Sequence, residues 1–466
     1  MPDRREVLIA LGMFILVGLL LVGPLASDQQ KDPHRGDFQA LSLQAEARLL
    51  QTISDQSPKG ALAILDPLDK RWLANARGGL DDPQRLRFDR CVLALAATLG
   101  RQDTIDLLTL DASLAKAPAA PAPLAFLWNP KALAPSIHLL KAELDLLPFT
   151  AWTRYKVLGA WYQRQGNTAE AATQVELAKS SEATLVARIA MLTLLYLVFF
   201  AAGVVFLYRS ASLLSRHSEP ASSLAVSLFR VGPLETASIF SFWLFSAFLI
   251  SSIGPAMAPD DPGAPRQILL VYSAQALLGF LLIYRLGTGG VQGGLKRQPI
   301  EPGAFMRAVG LGLSDIRLRT LYWALGGFAA ALPTVFGLTV LSQLLLGGGV
   351  GEANPLIPML VAGTDWETRL PLLLNVVLLA PLFEEFLFRG FLLSQFRRYA
   401  GETGAVMLSS LLFGAMHMSP DALLPLTGLG IILAVVARAS GGLWAPVLLH
   451  ALWNAATMAG VICLYD

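Results

Sequence analysis

Near the carboxyl terminus three short patterns gather acid, base and amide groups: Glu384-Glu385-x-x-x-Arg389, Phe413-x-x-x-His417 and His450-x-x-x-Asn454. Each falls inside a strongly apolar stretch. A charge at the centre of a bilayer costs at least ~2.5–3.5 kcal/mol, so such groups are normally absent or functional. Glu385 and Arg389 are i and i+4, so they can pair along one helix face. That leaves Glu384, about 100° round the helix, to face elsewhere. His450 and Asn454 are one turn apart and point the same way, and Phe413 walls the same side as His417. Two carboxylates and two imidazoles in a dry setting are the makings of a reactive site. Two histidines with one glutamate are also the ligand set of a catalytic zinc with one open position, although the usual HExxH pairing is missing.

Depth brings these groups together. Counted from the basic ends of their helices at 1.5 Å per residue, Glu384 lies roughly 18 Å in and His417 roughly 22 Å. On the same count His450 lies roughly 14 Å in and Asn454 roughly 20 Å. In a hydrocarbon layer of about 30 Å they share one central slab.

The elements that must position them are membrane helices. Of 466 residues, 54% are apolar and only 15% charged, with a mean hydropathy of +0.54; a soluble domain is nearer about 25% charged. The fold class expected is all-α, a polytopic membrane bundle of about nine spans with an inserted extracytoplasmic helical domain. A formal charge of +2 speaks against a strongly basic nucleic-acid binder, so no nucleic-acid partner is expected. Two cysteines, Cys91 and Cys463, exclude a disulfide scaffold or a cysteine-rich metal module.

Residues 1–26 read as an amino-terminal anchor, with the uncharged run Val7 to Ala26 behind Arg4 and Arg5; a cleaved signal peptide is the rival. Residues 27–185 carry charges again and show helical spacing, which predicts an all-helical domain. Within residues 152–180, Tyr155, Leu158, Gly159, Tyr162, Gly166, Ala171 and Ala178 fit one tetratricopeptide-like hairpin. Upstream spans fill residues 186–345, at Val186–Tyr208, Ala237–Met257, Gln267–Tyr284 and Leu321–Leu345. Residues 371–466 hold four more: Pro371–Phe396, Ala405–His417, Leu423–Ala437 and Gly441–Leu464. Alternate loops are basic (Arg209 and Arg216; Arg285, Lys296 and Arg297; Arg397 and Arg398; Arg438), which places them and the amino terminus in the cytoplasm and residues 27–185 outside the cell membrane.

The three ordered motifs resemble those of the CPBP intramembrane proteases, also called Abi, a group that includes the CAAX prenyl endopeptidases. The resemblance covers residues 371–466 and implies roles position by position. Glu384 would be the base that activates a water, and His417 would hold that water beside it. A carboxylate taken out of bulk water is a stronger base than one in solution. His450 and Asn454 would donate to the oxyanion of the tetrahedral intermediate. Glu385, Arg389 and Phe413 would support the site. The function implied is an intramembrane endopeptidase acting on membrane-associated, CAAX-type protein or peptide substrates through a glutamate-activated water. No cofactor is favoured; zinc on Glu384, His417 and His450 is the alternative. The other reading is a non-catalytic scaffold or bacteriocin-immunity protein that works through residues 27–185. The expected partners are the lipid bilayer, the substrate and a protein that the outer domain could bind.

Overall fold

The structure, a computed structural model, describes residues 39–41, 43–45, 47–48, 73, 77, 80–109, 123–129, 131–216, 228–229, 231–253, 263–288, 291–292, 295–296, 300–346, 356–362, 365–417 and 419–465. Among them the chain is helical, apart from an antiparallel ladder of Val291–Gln292 with Leu295–Lys296. The expected anchor at Val7 to Ala26 lies outside the described residues. The described residues fall into two compact units, one within 27–193 together with 460–465 and one within 194–459.

In the first unit, helices α1 (Asp82–Thr98), α2 (Gln102–Thr109), α3 (Ile137–Leu146), α4 (Ala151–Arg164) and the start of α5 (Thr168–Arg216) follow one another. Their starts are written in the sequence. Asp81 caps α1 through a reciprocal box with Gln84, and Ser136 and Thr150 cap α3 and α4 with their hydroxyls, satisfying donors that a helix start leaves unpaired. Trp152, Phe88, Leu93 and Leu95 are fully buried in its core, and the Trp152 indole donates to Glu182 at 2.7 Å. A helical hairpin does occur over residues 151–180. Asn167 caps α5 through the Glu170 amide, and a Cβ on Gly159 would lie 3.4 Å from Gln174 Cβ, so the two helices pack closely. α5 continues for 49 residues, longer by itself than a repeat of about 34.

The second unit contains α6 (Pro233–Ile253), α7 (Ala264–Leu282), α8 (Pro302–Ala308), α9 (Leu318–Leu346), α10 (Leu356–Ala362), α11 (Trp366–Leu373), α12 (Ala380–Glu385), α13 (Leu393–Ala415), α14 (Pro420–Ser440) and, as far as Ala459, α15 (Trp444–Tyr465). Among the described residues six helices are long and apolar enough to cross a membrane: Thr168–Arg209, Ala264–Gly287, Leu318–Leu345, Trp366–Ala415, Pro420–Ser440 and Trp444–Cys463. The chain is thus a multi-pass membrane protein. Trp366–Ala415 is interrupted at Gly401, whose φ of 70° and ψ of −175° are not helical; a residue without Cβ takes that conformation at little cost. The expected division between Pro371–Phe396 and Ala405–His417 falls at this break. Large apolar side chains such as Leu197, Val198, Phe242, Phe245 and Leu270 are exposed, the distribution of a surface that faces lipid rather than water. Small residues bring the helices together: a Cβ on Gly203 of α5 would lie 2.0 Å from the Ala329 carbonyl oxygen of α9.

Candidate active site

The helix bearing Glu384 and Glu385 is not a regular α-helix. α12 is only six residues long and is flanked by π-helical segments, Leu374–Leu379 and Phe386–Leu392. Such turns break the i→i−4 ladder and are frequent at functional sites. Here two carbonyls in them accept from other helices. Asn454 Nδ2 on α15 donates to Val376 O at 2.8 Å, and Ser409 Oγ on α13 donates to Phe388 O at 3.0 Å. Both bonds tie neighbouring helices to the distorted segment that carries the acids.

Glu385 and Arg389 form a fully buried ion pair, Nη1 to Oε1 at 3.0 Å, with both side chains 0% exposed. Arg389 Nη2 donates to Gly430 O on α14 at 3.1 Å. Gly430 also lets α14 pack closely on α13, because a Cβ there would lie 3.0 Å from Ser410. The guanidinium also sits 4.5 Å from the centre of the Phe413 ring, a cation–π contact strengthened by the dry surroundings. Removing either partner of such a pair costs about 3–5 kcal/mol, since a charge is left uncompensated.

His450 stands between the two glutamates. Its Nδ1 lies 2.9 Å from Glu385 Oε1, the oxygen that Arg389 also uses. Its Nε2 lies 4.0 Å from Glu384 Oε2. A carboxylate at Nδ1 assigns a ring proton to that nitrogen, and Nε2 is the ring nitrogen on the side of Glu384. Glu384 keeps 22% side-chain exposure, and the Tyr272 hydroxyl on α7 donates to its Oε1 at 3.2 Å. Spacing within the motifs gave no sign of Tyr272, a neutral residue far away in sequence.

Phe413 is completely buried and makes edge contacts with both imidazoles, 5.1 Å from His417 and 5.6 Å from His450 between ring centres. His417 Nδ1 donates to the Phe413 carbonyl at 2.9 Å, and that bond leaves Nε2 of this exposed residue uncommitted. Glu384, Glu385, Arg389, Phe413 and His450 therefore form one contact network. His417 joins it only through Phe413, and Asn454 is anchored to Val376. Among the described residues no three His, Cys, Asp or Glu side chains are grouped to hold a metal ion, so Glu384, His417 and His450 do not make a ligand cluster here. Cys91 and Cys463 are both free thiols.

A polytopic helical membrane protein with acid, imidazole and guanidinium groups buried in its bundle is the class defined so far. Residues 366–456 match the family described as Type II CAAX prenyl endopeptidase Rce1-like, so the carboxyl-terminal part of the chain is similar to CAAX-type intramembrane proteases. A protein of Escherichia coli described as an uncharacterized 24.3 kDa protein is 38% identical over 134 residues, which cover 28% of this chain and 58% of that protein. The chain thus spans little more than half the length of that relative. No solved structure matches the chain.

Proposed function

We propose that the protein is an intramembrane endopeptidase that hydrolyses a peptide bond of a membrane-associated, CAAX-type substrate with a water activated by Glu384. The observation that carries this reading is the 4.0 Å gap between Glu384 Oε2 and His450 Nε2. It is too long for a hydrogen bond and suits a water that donates one proton to each acceptor. A water held in this way turns its lone pairs away from both groups, towards a substrate carbonyl. Of the two imidazoles, His450 rather than His417 occupies this place against Glu384.

The water oxygen attacks the carbonyl carbon as its proton passes to Glu384. The second proton stays on the attacking oxygen as the new hydroxyl, hydrogen-bonded to His450 Nε2. Asn454 spends one Nδ2 hydrogen on Val376 O and has the other for the oxyanion. Glu384 then returns its proton to the amide nitrogen as the C–N bond breaks. Tyr272 occupies Oε1, so Oε2 is the oxygen presented for proton transfer. Glu385 is a positioning residue: held by Arg389, it fixes the tautomer and tilt of His450. His417 has Nε2 to offer the substrate backbone. None of these steps needs a metal. Helix ends rich in arginine (Arg397, Arg398 and Arg438) would face the cytoplasm, opening the site to substrates on that side, and the 27–185 domain would lie outside.

Mass spectrometry of membrane peptides tests the proposal. Cells carrying wild-type protein should yield carboxyl-terminal fragments that are absent with Glu384→Gln at equal membrane levels. Identical fragment sets in the two strains would overturn it.

A further inference from the structure

A cavity of about 200 Å³, lined by Arg389 but not by Glu384, opens at the arginine-rich end of the bundle, far more than one water requires. Its lining includes four guanidinium side chains, Arg307, Arg389, Arg397 and Arg438, against two carboxylates, Asp315 and Glu402. The lining stays positive even with Glu385 set against Arg389. Backbone forms part of the wall: Leu443 N donates to Gly310 O at 3.1 Å, and a Cβ on Gly310 would lie 2.6 Å from Gly442 Cα.

Three features give this cavity the character of an oxyanion site. First, Glu402 already bridges Arg397 at 2.8 Å and Arg438 at 3.5 Å, so these two guanidiniums converge on one carboxylate. Second, Arg307 forms no ion pair among the described residues, although it lines the same space. Third, Arg389, whose Nη atoms are both engaged, adds a further buried positive charge to the wall. Guanidinium groups bind phosphate through paired, charge-assisted hydrogen bonds, and basic pockets between membrane helices favour phosphorylated headgroups.

We propose that this cavity binds a phosphate monoester or phosphate ion, with Arg307 and Arg438 as its principal donors and Glu402 as the internal anion that the ligand displaces. This inference does not rest on the peptidase reading. The ligand's source is either a lipid headgroup or free phosphate, and binding distinguishes them. The full-length protein, purified in detergent, is titrated with short-chain phosphatidate, with phosphatidylcholine and with inorganic phosphate, and binding is followed by native mass spectrometry and calorimetry.

Phosphatidate should bind and phosphatidylcholine should not. Arg307→Gln and Arg438→Gln should each weaken binding by at least about tenfold, the loss of a hydrogen bond to a charged group. Glu402→Gln should tighten it, because the competing carboxylate is gone; a purely structural bridge would give no such gain. Inorganic phosphate binding as tightly as phosphatidate identifies a free-ion site, and phosphatidate alone identifies a headgroup site. Absence of binding by both phosphate probes overturns the proposal. So does binding unaffected by the two arginine substitutions, or weakened by Glu402→Gln.

Discussion

Breaking the Glu385–Arg389 pair one side at a time should reveal both its energy and its role. Both side chains are fully buried, so Arg389→Met or Glu385→Gln leaves a charge with reduced compensation. Each should cost about 3–5 kcal/mol, a large part of the roughly 5–15 kcal/mol stability usual for a domain. Residual partners hold each loss to the lower half of that range. Glu385 keeps His450 Nδ1 at 2.9 Å; Arg389 keeps Gly430 O at 3.1 Å and the Phe413 ring at 4.5 Å. The double variant, Glu385→Gln with Arg389→Met, removes both charges together and should cost less than the sum of the singles by at least about 2 kcal/mol. Cleavage should not recover with stability, because His450 still lacks the anion that orients it. Denaturant unfolding of the purified protein, read by tryptophan fluorescence, measures the first quantity, and peptide cleavage at equal protein measures the second. Additive single losses would refute the buried-pair argument. A stable double variant that cleaves at the wild-type rate would refute the positioning role of Glu385.

Other outcomes follow from the same contacts. Tyr272→Phe removes the hydroxyl bonded to Glu384 and should slow cleavage at least about tenfold, since hydrogen bonds to charged groups are worth about 1.5–3 kcal/mol; an unchanged rate would take Tyr272 out of the site. Gly203→Leu places a side chain where a Cβ alone would lie 2.0 Å from Ala329 O, so α5 and α9 must separate. A lower unfolding midpoint, by several degrees or more, should result, and an unchanged midpoint would contradict that close packing. Exhaustive chelation should leave the cleavage rate within about twofold, whereas a loss restored by zinc would contradict a metal-free reaction.

Much of the bundle was legible because lipid demands it. Long uncharged runs become helices when no water is there to satisfy the backbone, and the arginines at 397 and 398 mark the end of a span close to the break at Gly401. The start of α5 was less legible. No glycine or proline interrupts residues 168–202, so the expected border between residues 185 and 186 falls inside one continuous helix. In the site, helical spacing alone permits the Glu385–Arg389 contact. It says nothing of His450 Nδ1 reaching the same oxygen, which depends on where α15 packs. The π segments on either side of α12 have no local sequence signature, and they determine which carbonyls are left for Asn454 and Ser409. Tyr272 escaped notice because a tyrosine in a membrane helix carries no charge to flag it. The arginine cavity was hidden as well, for its members come from three separate stretches of chain, 307–315, 389–402 and 437–443.

The most direct measurement is the initial rate at which equal amounts of wild-type protein and Glu384→Gln, reconstituted in the same vesicles, cut a membrane-anchored peptide. Loss of a general base should lower that rate by about 10²–10⁴-fold, with both proteins inserted to the same extent. Cleavage by Glu384→Gln at the wild-type rate would contradict the assignment of this carboxylate as the group that activates water.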